Sequence, residues 1–522
     1  MEDLGVPELF IGKTVFLTGG TGFIGKVLIE KLLRSCSGVK KIYVLIRERR
    51  GKSIQERIDE MSTIPLFEKL HAEHPGDFSA KVFPVNGDVT MLNLGLSPED
   101  TQLLINEVNI VYHVAATVKF DQALTDAIFM NVRGTREVCN LALAMKQVQM
   151  MVHISTAYAH TEYNPIEEKM YPATADWRQC IKAAEVLEPY QLSIMQGHVL
   201  GPYPNTYTYT KGLAERVVFD LLDGNVANMI IRPSIVISSR SDPIPGWIDN
   251  FNGPVGMLTA NGTGLIRINL LREQTCDFLP VDLAVRAFLN VTWYRMTQEH
   301  DHNIPAKSTT VHNCAANNFA KMSTLDVATM AHDLAEECAI STCVWYPTLR
   351  RTESQAYFNF VSLFMQVIPA LFFDLILRML KYKPVVLSIQ RRIFVAVNAL
   401  KYFILNEWKI ENTSLYSLEF KLLKKDVEEF GYDAEDIDHR EFFRHAMMGG
   451  LKYLLKEDMS KLEANRTRIR ILKYVDKIFT VLFYLYLFNL FWFKWNVPGV
   501  IYNGLGNYFE SLHTPLFVNS AV

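Results

Sequence analysis

The eight residues Thr18 to Gly25, reading TGGTGFIG, limit what this chain can fold into more than any other stretch. The apolar run Thr14 to Leu17 comes directly before them and the amphipathic segment Lys26 to Leu33 directly after, which reads as strand, glycine turn and helix. Gly20, Gly22 and Gly25 satisfy G-x-G-x-x-G, while Gly19, Gly22 and Gly25 satisfy G-x-x-G-x-x-G. Both spacings rest on the same physics. A residue without Cβ lets the backbone turn tightly and lets a pyrophosphate come close, and a helix N-terminus offers free N–H groups and partial positive charge to that anion. Thr21, Phe23 and Ile24 complete the expected dinucleotide cradle. The fold class expected is α/β, a Rossmann-type doubly wound parallel sheet.

The next segments extend that reading. Lys41 to Ile46 (KIYVLI) is a second strand buried on both faces, and it runs into Arg47, Glu48, Arg49 and Arg50. A carboxylate at the strand end would accept hydrogen bonds from a ribose 2′-OH; a guanidinium there pairs instead with a 2′-phosphate, so Arg47 favours NADPH over NADH. A solvated charge run is the alternative. Lys81 to Val85 is a third strand, followed by Gly87, Asp88 and Val89, where Asp88 either approaches the adenine or caps the next turn. Ile110 to Ala116 is a fourth, whose small end residues, Ala115 among them, allow close approach of the cofactor. Asn131, within a helical segment, is expected to hold a backbone carbonyl or a water. His113 and His153 read as packed core residues.

Met151 to Ile154 is the fifth strand, and it delivers Ser155 and Thr156 at its carboxyl end, where open α/β sheets bind ligands. Tyr207 and Lys211 follow four apart, on one face of a helix. Hydride reduction of a carbonyl creates an alkoxide that needs a proton donor, but a phenol of pKa ~10 is poorly matched to neutral pH. Lys211 is expected to lower that pKa and to hold the nicotinamide ribose. Thr156 or Ser155 would bind the carbonyl oxygen; the stretch STAY resembles that of the short-chain reductases, and the resemblance implies the residue just before the small-aromatic pair, Thr156. Tyr209 lies on another face and reads as packing. Arg232, Pro233 and Ser234, after the apolar Met229 to Ile231, resemble the RPS segment of the short-chain reductases, which implies that they border nicotinamide and substrate; a structural turn is the alternative.

Composition narrows the class. With 522 residues the chain exceeds one usual core, and 49% hydrophobic with 21% charged residues describes an ordered protein. A net charge of -3 gives no sign of a nucleic-acid partner. Seven cysteines without C-x-x-C spacing indicate neither a zinc site nor a disulfide framework, so no metal is expected. The acidic start MEDLGVPELFIGKT lacks a signal-peptide pattern, which puts the catalytic part on the cytosolic side.

Taken together, TGGTGFIG, GDVT, HVAATVKFD, NVRGT, HISTAY, PNTYTYTKGLAE, IRPSIV, GPVGM, and the later VIPALFFDLILRML and YFILNEW resemble the animal fatty acyl-CoA reductases, which join an extended short-chain reductase fold to a C-terminal domain. The resemblance implies NADPH-dependent reduction of a long-chain fatty acyl-CoA to a primary alcohol through an aldehyde, with release of CoA. An extended reductase acting on a sterol or sugar, or a membrane-tethered NADPH-binding scaffold, would share the first half. The organisation expected is a reductase domain at 1–350, a mainly helical C-terminal domain at 351–460 and a membrane-associated tail at 470–522. Tyr357 to Leu380 is apolar but interrupted by Asp374 and Arg378, which makes it a poor bilayer span and suits an acyl-chain groove, an interfacial helix or the core of the C-terminal domain, with core or groove preferred. Ile478 to Phe493 is uncharged between Lys477 and Lys494; its sixteen residues reach only ~24 Å of helix against a ~30 Å hydrocarbon core, a marginal span. Continuation through Trp495 to Ile501 would lengthen it, Pro498 and Gly499 interfere, and a re-entrant or in-plane anchor is the alternative. The membrane expected is the endoplasmic reticulum, with the peroxisome as the alternative.

Overall fold

In the computed structural model, which describes residues 4–48, 51–251, 253–297, 305–316, 322–432, 438–494, 499–503 and 505, the apolar runs up to Cys314 pair into one sheet. Its strands are β1 (Thr14–Thr18), β2 (Lys41–Ile46), β3 (Val82–Asn86), β4 (Ile110–His113), β5 (Met150–Ile154), β6 (Asn228–Pro233) and β7 (Thr309–Cys314). They lie in the order β7-β6-β5-β4-β1-β2-β3, and every neighbouring pair is parallel. β1 has β2 on one side and β4 on the other, so the winding reverses there and opens a crevice beyond the carboxyl ends of β1 and β4.

Parallel strands need helical crossovers, and those helices bury both faces of the sheet. All five residues of β1 are buried: Val15 and Leu17 enter one core with Leu28, Leu32 and Phe288, while Phe16 enters the other with Val111, Val138 and Val217. The first face is covered by α1 (Phe23–Ser35), the second by α2 (Gly134–Ala144) and α3 (Thr206–Leu222), and α4 (Val281–Thr297) returns to the first. Asn205 starts α3 by accepting a 2.9 Å bond from the Thr208 N–H.

The later chain divides in its use. Residues 413–432 return to the first core, where Leu415, Leu418, Leu422, Phe430 and Tyr432 are buried beside α1 and α4. Asp426 accepts the Val6 N–H at 2.9 Å, and Glu429 pairs with Lys31 and Arg34 of α1. A third core gathers Phe278, Leu334, Cys343, Phe443 and Ile469.

Three helices of the later chain differ from this. α5 (Gln355–Met379) carries a π-helical turn at Leu363–Val367 and is followed, across a turn where Lys381 has φ 61°, by α6 (Val386–Leu405). The core placement expected for Tyr357 to Leu380 is corrected: Phe372 is 60% and Phe373 57% exposed. Of the two charges that argued against a bilayer, Arg378 is exposed and Asp374 is buried within the helix pair. Asp374 accepts the N–H groups of Val385, Val386 and Leu387 at 2.9 to 3.0 Å and so caps the start of α6. Among the described residues α5 is the one helix both long and apolar enough to cross a membrane. α7 (Leu462–Asn489) runs on as a π-helical turn to Lys494, and its apolar side chains from Ile478 to Phe493 are mostly exposed. Trp495 to Pro498 and the final residues NSAV lie outside the described residues, as do Arg49 and Arg50.

Candidate active site

The glycine turn leaves β1 and enters α1 at the crevice. Gly19 has φ +77°, and a Cβ there would lie 2.6 Å from the Ala115 nitrogen, so the carboxyl end of β4 presses against the turn. A Cβ on Gly25 would meet the Gly19 carbonyl at 2.3 Å. The G-x-x-G-x-x-G spacing is therefore the one the packing enforces at its two outer positions. Gly22 caps α1 without a side-chain acceptor, and the first turn holds no acidic residue, so the amides of Phe23 and Ile24 face no competing carboxylate. Those features, with Thr21 between Gly20 and Gly22, fit the diphosphate of a dinucleotide.

Around the adenosine end, Arg47 follows β2 with its side chain 57% exposed and lies 3.5 Å from Asp88. Asp88 also accepts the N–H and hydroxyl of Thr90, both at 2.9 Å, the capping alternative for this residue. Val89 is buried, with its carbonyl close against Gly134. Asn131 accepts the Thr117 N–H at 2.9 Å and donates to the Thr210 hydroxyl at 2.9 Å and to the Thr117 carbonyl. It holds a backbone carbonyl, as its burial predicts, and ties the loop after β4 to α3.

At the end of β5 the two hydroxyls separate. Ser155 donates to Glu215 at 2.6 Å and is thereby committed to the protein. Thr156 is the hydroxyl beside the Tyr207 phenol. Burial pushes Tyr207 up to about 12, opposed by the neighbouring Thr156 hydroxyl. This corrects the expected lowering by Lys211, whose ammonium donates to the Ile154 carbonyl at 2.6 Å. Burial in turn brings Lys211 down to about 8, against the pull of the Glu215 carboxylate. Tyr209 is packed, with its hydroxyl 3.3 Å from the Cys180 sulfur.

Glu215 was not singled out by motif, although it stands one turn beyond Lys211 on the same helix face, a carboxylate among Leu213, Ala214 and Val217. It is 1% exposed and pairs with Arg232 at 2.7 Å and with His160 at 2.8 Å. Burial alone would raise its carboxyl, but Arg232 and His160 outweigh that and hold it well below the usual carboxylate range. Arg232 is fully buried, and its remaining donors go to the carbonyls of Glu167 and Lys169; its guanidinium is thus occupied within the protein, with Pro233 next to it closing β6. Behind this network His113 and His153 stack at 5.2 Å in the core, and burial lowers both, leaving them neutral.

Over Tyr207 lies an aromatic roof that no motif indicated. Phe120, from the loop after β4, stacks on the Tyr207 ring at 5.7 Å. Phe403, at the end of α6, meets Phe120 at 5.2 Å and Tyr158 at 5.4 Å, and Trp408 meets Tyr158 at 5.8 Å. Gln274 holds the Phe403 carbonyl, and Trp408 donates to the Thr161 carbonyl. A phenol beside a hydroxyl, under an apolar cover, in a fold with a dinucleotide cradle, suits hydride reduction of a carbonyl on a greasy molecule.

Comparison with known proteins places these features. Two family models, both described as male sterility protein, match residues 17–288 and 365–457; the first is an NAD-binding domain. Fatty acyl-CoA reductase 1 of Xenopus laevis is 35% identical over 490 residues, covering 94% of this chain and 93% of that protein. Fatty acyl-CoA reductase 1 of Homo sapiens is 34% identical over 488 residues, 93% of each. In fold the chain is similar to the terminal R domain of the myxalamid biosynthetic pathway (TM-score 0.55, 17% identity, 84% of this chain and 91% of that one). It is also similar to the reductase domain of a non-ribosomal peptide synthetase from Mycobacterium tuberculosis (TM-score 0.53, 18% identity, 87% and 98%).

Proposed function

The chain belongs to the fatty acyl-CoA reductase family, and on that premise we propose that it reduces long-chain fatty acyl-CoA to the primary fatty alcohol with NADPH, releasing CoA. The observation that carries this reading is the Thr156–Tyr207 pair under an aromatic roof contributed by the C-terminal half. A roof of that kind suits an acyl chain better than a sugar.

The nicotinamide would supply a hydride to the thioester carbonyl and, after exchange of the dinucleotide, a second one to the aldehyde. Thr156 would bind the carbonyl oxygen and stabilise the charge it gains. Collapse of the first tetrahedral adduct expels the CoA thiolate. Tyr207 would donate its proton to the alkoxide of the second step; a buried phenol near 12 is still a stronger acid than an alcohol, so the transfer runs downhill. Lys211, held in place by the Ile154 carbonyl, would hold the ribose and restore the phenol's proton, while Glu215 keeps that lysine charged. Arg47 would pair with the 2′-phosphate, exchanging its 3.5 Å contact with Asp88 for a bidentate one.

The division into a reductase domain at 1–350, a helical domain at 351–460 and a tail at 470–522 is part of this proposal. So is attachment to the endoplasmic reticulum membrane, with the catalytic part in the cytosol and the peroxisomal membrane as the alternative; the exposed apolar surfaces of α5 and α7 support it. Incubation of the purified protein with palmitoyl-CoA and NADPH should yield hexadecanol by mass spectrometry, with NADH much the poorer donor. No NADPH oxidation across acyl chain lengths would refute the reading.

A further inference from the structure

α6 leads from solvent to the active site along one face. Ser388, Arg391, Arg392, Val395 and Ala399 line a groove of about 460 Å³ between the helix and Asp121. Phe403 continues the same face one turn beyond Ala399. On the opposite wall Asp121 directly follows Phe120, the ring stacked on Tyr207. The groove therefore has a cationic outer end, and beyond its last lining residue, Ala399, the same helix face leads on to Phe403 and, through Phe120, to Tyr207. Arg391 and Arg392 are exposed, and neither is in an ion pair with a described residue. Asp121 faces them as a single carboxylate, which leaves the outer end net positive.

We infer that this groove holds the CoA moiety of the substrate, with Arg391 and Arg392 on its phosphates and the thioester delivered between Phe403 and Phe120 to Tyr207. The inference rests on the acyl-CoA reading and deepens it. Two properties select this occupant. Guanidinium groups recognise phosphate oxygens through paired hydrogen bonds, and CoA carries a diphosphate and a ribose phosphate at one end of a long, thin arm. The helix between Arg391 and Phe403 extends about 18 Å, a distance suited to the extended pantetheine arm between phosphate and sulfur. The acyl chain then lies beyond the sulfur, under the roof.

The test uses the full chain in detergent and three substrates: palmitoyl-CoA, the palmitoyl thioester of N-acetylcysteamine, and hexadecanal. The second keeps the thioester but lacks the phosphates; the third lacks the thiol altogether. The double variant Arg391→Ala/Arg392→Ala should raise KM for palmitoyl-CoA roughly tenfold or more, the loss of a charge-assisted contact, and leave kinetics on the other two unchanged. Arg391→Lys/Arg392→Lys, which keeps the charge, should recover most of that loss. An unchanged KM for palmitoyl-CoA, or an equal loss on all three substrates, overturns the assignment. So does a variant that keeps its palmitoyl-CoA kinetics while losing binding to phosphatidylserine vesicles, because the arginines then serve a lipid headgroup. Failure of the unmodified protein on palmitoyl-CoA would instead sink the acyl-CoA reading.

Discussion

Glu215 in α3 and Asp374 in α5 are both carboxylates set in apolar helices, and both are buried, at 1% and 7% exposure. Their neighbours differ. Around Glu215 the side chains of α3 are buried on nearly every face, and its partners are cations and a hydroxyl: Arg232, His160 and Ser155. Around Asp374 the phenylalanines are exposed, and its partners are three backbone N–H groups of α6. One carboxylate joins β5, β6 and α3 beneath the proton donor. The other turns its charge inward and leaves an outer surface of rings and aliphatic chains. The nucleotide-binding half thus places a carboxylate inside to join its elements, whereas α5 turns Asp374 inward and leaves Phe372 and Phe373 outside, with Arg378 its one outward charge.

The strongest blow to the catalytic side of this comparison is Tyr207→Phe. It should lower kcat by about 10²- to 10⁴-fold while NADPH still binds, as read by fluorescence titration, because only the proton donor is lost. Retained turnover would remove Tyr207 from the chemistry. Glu215→Gln comes next. Leaving Arg232 buried without its counter-charge should cost about 3–5 kcal/mol of stability, seen in denaturant unfolding. The same variant sharpens the pH argument. With Lys211 at about 8, the rate should fall as pH rises past that value and the ammonium loses its proton. Because Glu215 holds the lysine up, its removal should move this limb to lower pH, whereas a purely structural carboxylate would leave the limb in place.

On the other side, Phe372→Ser/Phe373→Ser should weaken partition into phospholipid vesicles by about tenfold or more in flotation, with folding intact since both rings are exposed. Equal flotation would mean that α5 does not face lipid. The smallest effect belongs to Asp374→Ala. Faster hydrogen exchange at Val385, Val386 and Leu387 is expected, with the assay rate retained; unaltered exchange would show that the cap does not hold the start of α6.

Much of the catalytic half is legible in the sequence because its constraints are local. Glycine spacing, five-residue apolar runs and the interval between Tyr207 and Lys211 each arise within a few residues. β2 runs over the residues its pattern predicts, and β4 ends three residues early because Val114 to Ala116 turn toward Gly19. What the sequence hides is long-range. Nothing near Ser155 announces that Glu215, sixty residues on, will accept its hydrogen bond, and nothing near Phe120 announces Phe403. Asp374 misleads for the same reason: a carboxylate in an apolar run counts against a bilayer until its partners, a helix start eleven residues later, are known.

The return of residues 413–432 to the first core has a consequence for how the protein is made. Val6 and Asp426 are 420 residues apart, yet the hydrogen bond between them seals the same face of α1 that Glu429 closes through Lys31 and Arg34. At ~5–20 residues per second a ribosome takes about 20 to 80 s to deliver the second partner after the first. During that interval α1 and α4 expose the apolar surface that Leu415, Leu418 and Phe430 will cover. The nascent nucleotide-binding half must therefore wait, unfinished and adhesive, for nearly the whole chain to emerge. A chain ended at residue 350 would remain in that state, so the part that holds Tyr207 is not by itself a finished folding unit.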